Sequence, residues 1–218
     1  MATATRSKVK APDPAEDHLE ARFGIEQAYT VVLRFRGVTP FLFNKFADLH
    51  GYAEEGVAEK KKPRAKEMKD YEAMVWRDDD GFLGVPTQNV IASLIGAAKF
   101  FKSPIAAKGG ATNTLREALV PAMDVASFDV KDWDCIDFRL ARNGDMKRSP
   151  KPTWRPRLEK GWLIEAHIGV VLPELYGPAK LLEILARAGT TSGLGDGRKI
   201  GFGRFVSDGF DVSEGLPW

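Results

Sequence analysis

The clearest pattern in the chain is the alternation Tyr29-Thr30-Val31-Val32-Leu33-Arg34-Phe35-Arg36. Val31, Leu33 and Phe35 share one side and Thr30, Val32, Arg34 and Arg36 the other, which predicts a half-buried strand closed by Gly37 and Pro40. The spacing of Val90, Ile91, Leu94, Ile95, Ala98 and Phe101 behind Pro86 predicts a helix with one apolar stripe. Residues 118–126 and 135–141 read as strands separated by an aspartate-rich connection, and residues 161–172 alternate again. Residues 177–188 carry Leu181, Leu182, Ile184 and Leu185 on a helical face, with Gly189 as the stop signal. Residues 202–212 form the last strand.

Between these elements the pattern fails. Residues 1–25 read as a flexible tail without apolar period. Residues 54–76 are charged and broken by Pro63, so we expect a mobile insertion leading into a short strand or helix near Tyr71 to Trp76. Asp79-Asp80-Gly81 is a turn, and residues 142–157, with Gly144, Pro150, Pro152 and Pro156, predict a loop or irregular hairpin. Without these insertions the order is strand, helix, strand, strand, helix, strand. The expected class is α+β, a ferredoxin-like (RNA-recognition-motif-like) βαββαβ core in one domain spanning 26–218, with insertions near 47–76 and 127–160. Such a core has both helices on one face of the sheet and leaves the other face free.

Composition narrows the class. With 218 residues, 44% hydrophobic and 28% charged, the chain has the make-up of an ordinary soluble protein. It has no apolar run of spanning length and no signal-peptide core at its start, so a cytoplasmic protein without a membrane partner is expected. The single cysteine, Cys135, excludes an intrachain disulfide and a cysteine-rich zinc site. The net charge of +2 is uninformative, but its distribution is not. Arg142, Lys147, Arg148, Lys151, Arg155, Arg157 and Lys160 face only Asp145 and Glu159 in their segment. The run Lys60-Lys61-Lys62-Pro63-Arg64-Ala65-Lys66 reads as an ordinary solvated stretch.

Two segments have a composition that could hold phosphates. The glycine-rich run from Gly193 through Gly195, Gly197 and Gly201 to Gly203 follows a helix and enters a strand, so it is not a dinucleotide fingerprint, and it lacks the Gly-Lys-Ser/Thr of a P-loop. It can bring backbone amides close to a phosphate, with Arg198, Lys199 and Arg204 adding charge, or it can be a turn that needs room. The basic segment interleaves its cations with Trp154, which suits phosphate contacts plus base stacking, or else the indole packs on the core. Arg34 and Arg36, and Lys45 beside Phe41 and Phe43, could hold a strand on the sheet; salt bridges to neighbouring acids are the alternative.

No catalytic constellation emerges. His18 and His50 fall in tail and loop, and His167 alternates with large apolar residues as a structural histidine would. Asp129, Asp132, Asp134 and Asp137 could bind a divalent ion, or form a charged turn. No cofactor is expected, and the protein is expected not to be an enzyme.

Four segments carry a resemblance: Val38-Thr39-Pro40-Phe41-Leu42-Phe43-Asn44-Lys45; Asp80-Gly81-Phe82-Leu83-Gly84-Val85-Pro86; Asn113-Thr114-Leu115-Arg116-Glu117-Ala118-Leu119; and the ending from Ala188 through Gly193-Leu194-Gly195-Asp196-Gly197-Arg198-Lys199-Ile200-Gly201-Phe202-Gly203-Arg204-Phe205. Over residues 28–212 the chain resembles a group of phage and prophage proteins. Its ending resembles the glycine-rich loop of the RAMP superfamily, the RNA-recognition-like backbone subunits of CRISPR effector complexes. The resemblance implies a protein that assembles side by side, as a homo-oligomer or filament or with other effector subunits, along single-stranded RNA or DNA. It would grip the backbone through the glycine-rich loop and a thumb-like insertion at residues 142–157. The catalytic histidine of cleaving members has no evident counterpart. A phage scaffolding protein and a metal-dependent nuclease are the alternatives.

Overall fold

The structure, a computed structural model, describes residues 27–45, 71–105, 110–141 and 151–216. The expected tail, most of the first insertion with its lysine run, and the tip of the basic segment lie outside the described residues.

The alternation at the start of the chain becomes β1 (Tyr29–Gly37), with Tyr29, Val31, Leu33 and Phe35 buried and Arg34 and Arg36 exposed. It is followed by β2 (Phe41–Leu42), β3 (Trp76–Arg77), β4 (Leu83–Pro86) and helix α1 (Thr87–Ala98). Next come α2 (Thr112–Ala118), β5 (Leu119–Pro121), β6 (Val125–Phe128), β7 (Cys135–Ala141), β8 (Lys151–Leu158) and β9 (Leu163–Val170). Helix α3 (Pro178–Thr191), a 3-10 turn at Arg198–Ile200 and β10 (Phe205–Glu214) complete the order.

The large sheet runs β10-β1-β9-β6-β4-β3, every pair antiparallel, with β5 on the other end of β9. β5 and β6 act as one interrupted strand: Leu119 lies opposite Val170 and Ser127 opposite Glu165. The inner order β10-β1-β9-β6 is therefore fourth-first-third-second, the arrangement of a split βαββαβ core. Helices α1 and α3 pack against each other and against this sheet. They bury Val90, Ile91 and Leu94 from one and Leu181, Ile184 and Leu185 from the other. The ferredoxin-like α+β expectation holds, enlarged at one edge by β4 and β3.

Local structure adds to these expectations and corrects others. The strand Cys135–Ala141, inside the expected insertion near 127–160, pairs with β8 as a hairpin, and β2 joins them in a separate three-stranded sheet. Gly189 does not end α3, which continues to Thr191; a side chain there would overlap the Phe205 carbonyl, so glycine serves the close approach of helix and strand. The seven-residue α2 buries Thr114, Leu115 and Ala118, too few positions to show a period.

At the junction of the two sheets, Phe41, Phe43, Phe128 and Trp162 meet edge to face at 4.8 to 5.7 Å. Each such pair contributes roughly 0.5 to 1.5 kcal/mol beyond its burial. The Trp162 indole N–H donates to the Thr39 carbonyl at 2.8 Å, fixing the segment that leads from β1 into β2.

Candidate nucleic-acid interface

The glycine-rich loop starts where α3 ends, and the amides of Ser192 and Gly193 both donate to the Ala188 carbonyl. Gly193, Gly195, Gly197, Gly201 and Gly203 all have positive φ, between 66° and 97°. At Gly195 a second constraint is added, because a Cβ would sit 2.7 Å from both the Leu42 carbonyl oxygen and the Phe41 ring. The loop is stitched to the segment after β1: Asp196 N–H donates to Leu42 and Gly203 N–H to Pro40, each at 2.9 Å. Ser93 of α1 donates its hydroxyl to the Gly193 carbonyl at 2.9 Å. Two of the segments that carry the family resemblance, far apart in sequence, are thus hydrogen-bonded neighbours.

This stitching decides which amides can meet a ligand. Leu194, Asp196, Ile200, Gly201, Phe202 and Gly203 donate to backbone carbonyls, and Gly197 to the Asp196 carboxylate. Within the loop this leaves the amides of Gly195, Arg198 and Lys199 without a hydrogen-bond acceptor among the described residues. The Arg198 and Lys199 side chains are exposed, whereas Arg204 folds back as a brace. Its amide donates to the Thr39 hydroxyl and its Nη2 to the Arg198 carbonyl at 3.0 Å.

Beside the loop opens a cavity of about 300 Å³, lined by Phe43, Asn44, Lys45, Trp76, Asn89, Gly195, Asp196 and Arg198 among others. Lys45 lies with its Nζ 4.1 Å from the centre of the Trp76 ring. The sequence named Lys45 as a candidate but did not associate it with the glycine-rich loop, and it missed Trp76 and Asn89; the only signal for Trp76 was an aromatic just before the Asp79-Asp80-Gly81 turn.

The basic segment is the second wall. In the β7–β8 hairpin Asp137 lies opposite Arg155, Phe138 opposite Trp154 and Arg139 opposite Thr153, so its faces alternate cleanly. One face is charged and turned to the loop. Arg155 Nε comes within 2.8 Å of Asp196 Oδ2, without hydrogen-bond alignment, so the link is a Coulombic one. Arg139 stacks 4.4 Å over the Phe202 ring and donates to the buried Asp137. Arg157 donates to Glu159 at 2.8 Å and approaches Asp137 at 3.4 Å. The other face is apolar and open to solvent: Phe138 and Leu140 are 57% and 68% exposed, and Phe138 and Trp154 pair with ring centres 5.0 Å apart. Arg155 and Arg157 are thus already engaged by carboxylates, while Trp154 faces outward. Lys147 and Arg148 lie outside the described residues, and Lys151 is the first residue of β8.

The free face of the large sheet has the opposite character. Arg34 bridges Glu165 at 2.7 Å and Asp211 at 2.6 Å, and Arg36 pairs with Asp208 at 3.1 Å. Hydrogen bonds from His167 and then Arg34 hold the Glu165 carboxyl below the ordinary carboxylate range. A shallow depression there brings Asp78, Asp80, Asp129, Glu165 and Asp208 around Arg34. A surface with that balance repels phosphate, and its two arginines are already neutralised.

The aspartates once grouped as a possible metal site do not converge. Asp134 accepts the Glu159 amide and Asp137 is held among arginines. Among the described residues no cluster of three or more His, Cys, Asp or Glu side chains is placed to hold a metal, and no helix is long and apolar enough to cross a membrane.

Comparison with known proteins places the fold. No protein-family model and no curated protein matches the chain. Among solved structures, it is similar to a chain of the type III-B Cmr-beta complex bound to cognate target RNA, with TM-score 0.51 and 11% identity. That similarity covers 91% of this chain and 65% of the other, so the protein spans just under two thirds of that neighbour's length. Cmr6 from Pyrococcus furiosus aligns with TM-score 0.46 and 10% identity over 84% of this chain and 99% of that one. The likeness is one of fold. The phage side of the resemblance rests on the sequence segments alone.

Proposed function

We propose that the protein binds single-stranded nucleic acid, RNA in the first instance, and acts by holding the strand rather than by chemistry on it. The observation that carries this reading is the cleft at the glycine-rich loop. Gly195, Arg198, Lys45 and Trp76 line one cavity, and the exposed Lys199 follows Arg198 in the same turn. Amides and cations suit phosphates, and an aromatic surface suits bases without regard to sequence. The Phe138–Trp154 pair on the hairpin, with Phe138 exposed and Trp154 half-buried, supplies a second stacking surface, in the position the resemblance gives to the thumb. Support for RNA over DNA comes from the fold neighbour in an RNA-bound complex. Side-by-side assembly along the strand belongs to the same proposal.

The test is fluorescence anisotropy with labelled single-stranded RNA, single-stranded DNA and duplex at two salt concentrations. Wild-type protein binds the single strands more tightly than duplex, and Arg198→Ala with Lys199→Ala weakens binding and lowers the salt slope by about 1.4, roughly 0.7 per lost phosphate contact. Unchanged affinity and slope in that variant would overturn the assignment of the loop.

A further inference from the structure

The helical layer carries a concentration of cations that the cleft does not account for. Lys99, Lys102, Arg116 and Arg187 are exposed, and among the described residues none of them is paired with a carboxylate. This contrasts with the sheet face, where Arg34 and Arg36 are both neutralised. At the centre of the group Phe100 is 53% exposed, with Lys99 Nζ 5.0 Å and the Arg187 guanidinium carbon 5.5 Å from its ring centre. An arginine laid on an aromatic keeps its N–H edge free for a phosphate, and the ring itself can take a base. The neighbouring acid Glu183 is engaged by Lys180 at 2.8 Å.

The patch is joined to the cleft. An open groove of about 500 Å³ runs along α1 between Ala92, Lys99 and Arg116. Ala92 also lines the cavity at the glycine-rich loop. The exposed positions Gln88, Asn89 and Ala92 of α1, with Lys99 capping its C-terminus, therefore form a single track from the loop to the cationic patch.

We infer that this track is a second phosphate-binding surface, on which the single strand held at the glycine-rich loop continues along α1 to Lys99, Arg116, Phe100 and Arg187. Continuity with the cleft and the uncompensated positive charge favour a nucleic-acid strand as occupant over an acidic protein segment. The inference rests on the proposed function, and its test separates the two. Binding of single-stranded RNAs of roughly 4 and roughly 16 nucleotides, the span of known single-strand site sizes, is compared between wild type and the triple variant Lys99→Ala, Arg116→Ala, Arg187→Ala. All three side chains are exposed, and unchanged thermal unfolding verifies the fold. The variant binds the short RNA as wild type does, but loses affinity for the long RNA by about tenfold or more and shows a salt slope lower by about 2, for three phosphate contacts. Wild-type affinity and slope for the long RNA in the triple variant overturn the track while leaving the cleft intact, and displacement of a bound acidic peptide without loss of RNA binding does the same. Failure of wild-type protein to bind either RNA overturns the cleft, and with it the track.

Discussion

Arg155 on the hairpin and Asp196 in the glycine-rich loop lie 2.8 Å apart, across 41 positions of sequence (196 minus 155), and this contact ties the two walls of the cleft together. Arg155 is 11% exposed and Asp196 31%, so the pair is partly shielded from water. Asn44 donates to the same carboxylate oxygen at 3.0 Å, making Asp196 the point where loop, hairpin and the segment after β1 meet.

Arg155→Ala is therefore expected to lower stability by about 1 to 2 kcal/mol, between the values of exposed and buried pairs. Asp196→Asn has a similar effect, and the double variant falls short of the sum. A double-mutant cycle by chemical denaturation checks this; strict additivity would show the two side chains to be independent.

Gly195→Ala and Gly201→Ala separate close approach from backbone conformation. Both positions have positive φ, at 73° and 97°, but only Gly195 is pressed against Leu42 and Phe41, with open space at Gly201. Gly201→Ala is expected to cost about 1 kcal/mol and Gly195→Ala about 2 to 3 kcal/mol. Comparison of their denaturation midpoints decides, and equal losses would mean the loop can move away from Leu42.

Trp154→Ala and Phe138→Ala should weaken RNA binding by about 1 to 3 kcal/mol each while leaving the salt slope in place, since stacking releases no counterions. Quenching of tryptophan fluorescence on titration with RNA, reduced in Trp154→Phe, is the companion measurement. A change of slope without loss of stacking would assign the hairpin to phosphates instead.

The sheet face predicts acid sensitivity. Hydrogen bonds from His167 and Arg34 lower the Glu165 pKa, and the Ser127 hydroxyl, with the backbone amides of Phe82 and Asp80, lowers that of Asp78. A carboxyl whose folded value is depressed contributes stability that is fully present above its unfolded value, near 4, and lost as pH falls through the folded value. Glu165→Gln should accordingly flatten the stability profile below about pH 4. Both carboxyls are reached by solvent, so the effect is modest; an unchanged acid limb would exclude Glu165 as a contributor.

Much of the fold was legible because it lies in short-range periodicity. The alternation of β1, the stripe on α1 and the order of core elements needed only neighbouring residues. Residues 135–141 were legible as a strand, but that Phe138 and Leu140 are exposed depends on which sheet the strand joins. The candidate site was half legible. Composition pointed to the glycine-rich loop and the basic segment, but which cations are engaged depends on partners far along the chain. Asp196 meeting Arg155, Asp211 and Glu165 meeting Arg34, and Asp208 meeting Arg36 are products of tertiary register. Trp76 and the Lys99–Phe100–Arg187 group were missed for the same reason: each looks unremarkable until the cavity or the neighbouring helix is in place.

The hairpin is a ruler with a step of two. Its strands pair residue for residue from Cys135 opposite Arg157 to Ala141 opposite Lys151, so parity alone decides which side chains meet the loop. Removing one residue from Cys135–Ala141 would turn Phe138 and Leu140 toward Asp196 and set Arg139 outward, whereas removing two would restore the alternation on a shorter arm. Odd and even length changes in this strand are thus different kinds of lesion, the first erasing the distinction between charged and stacking sides and the second only shortening the reach.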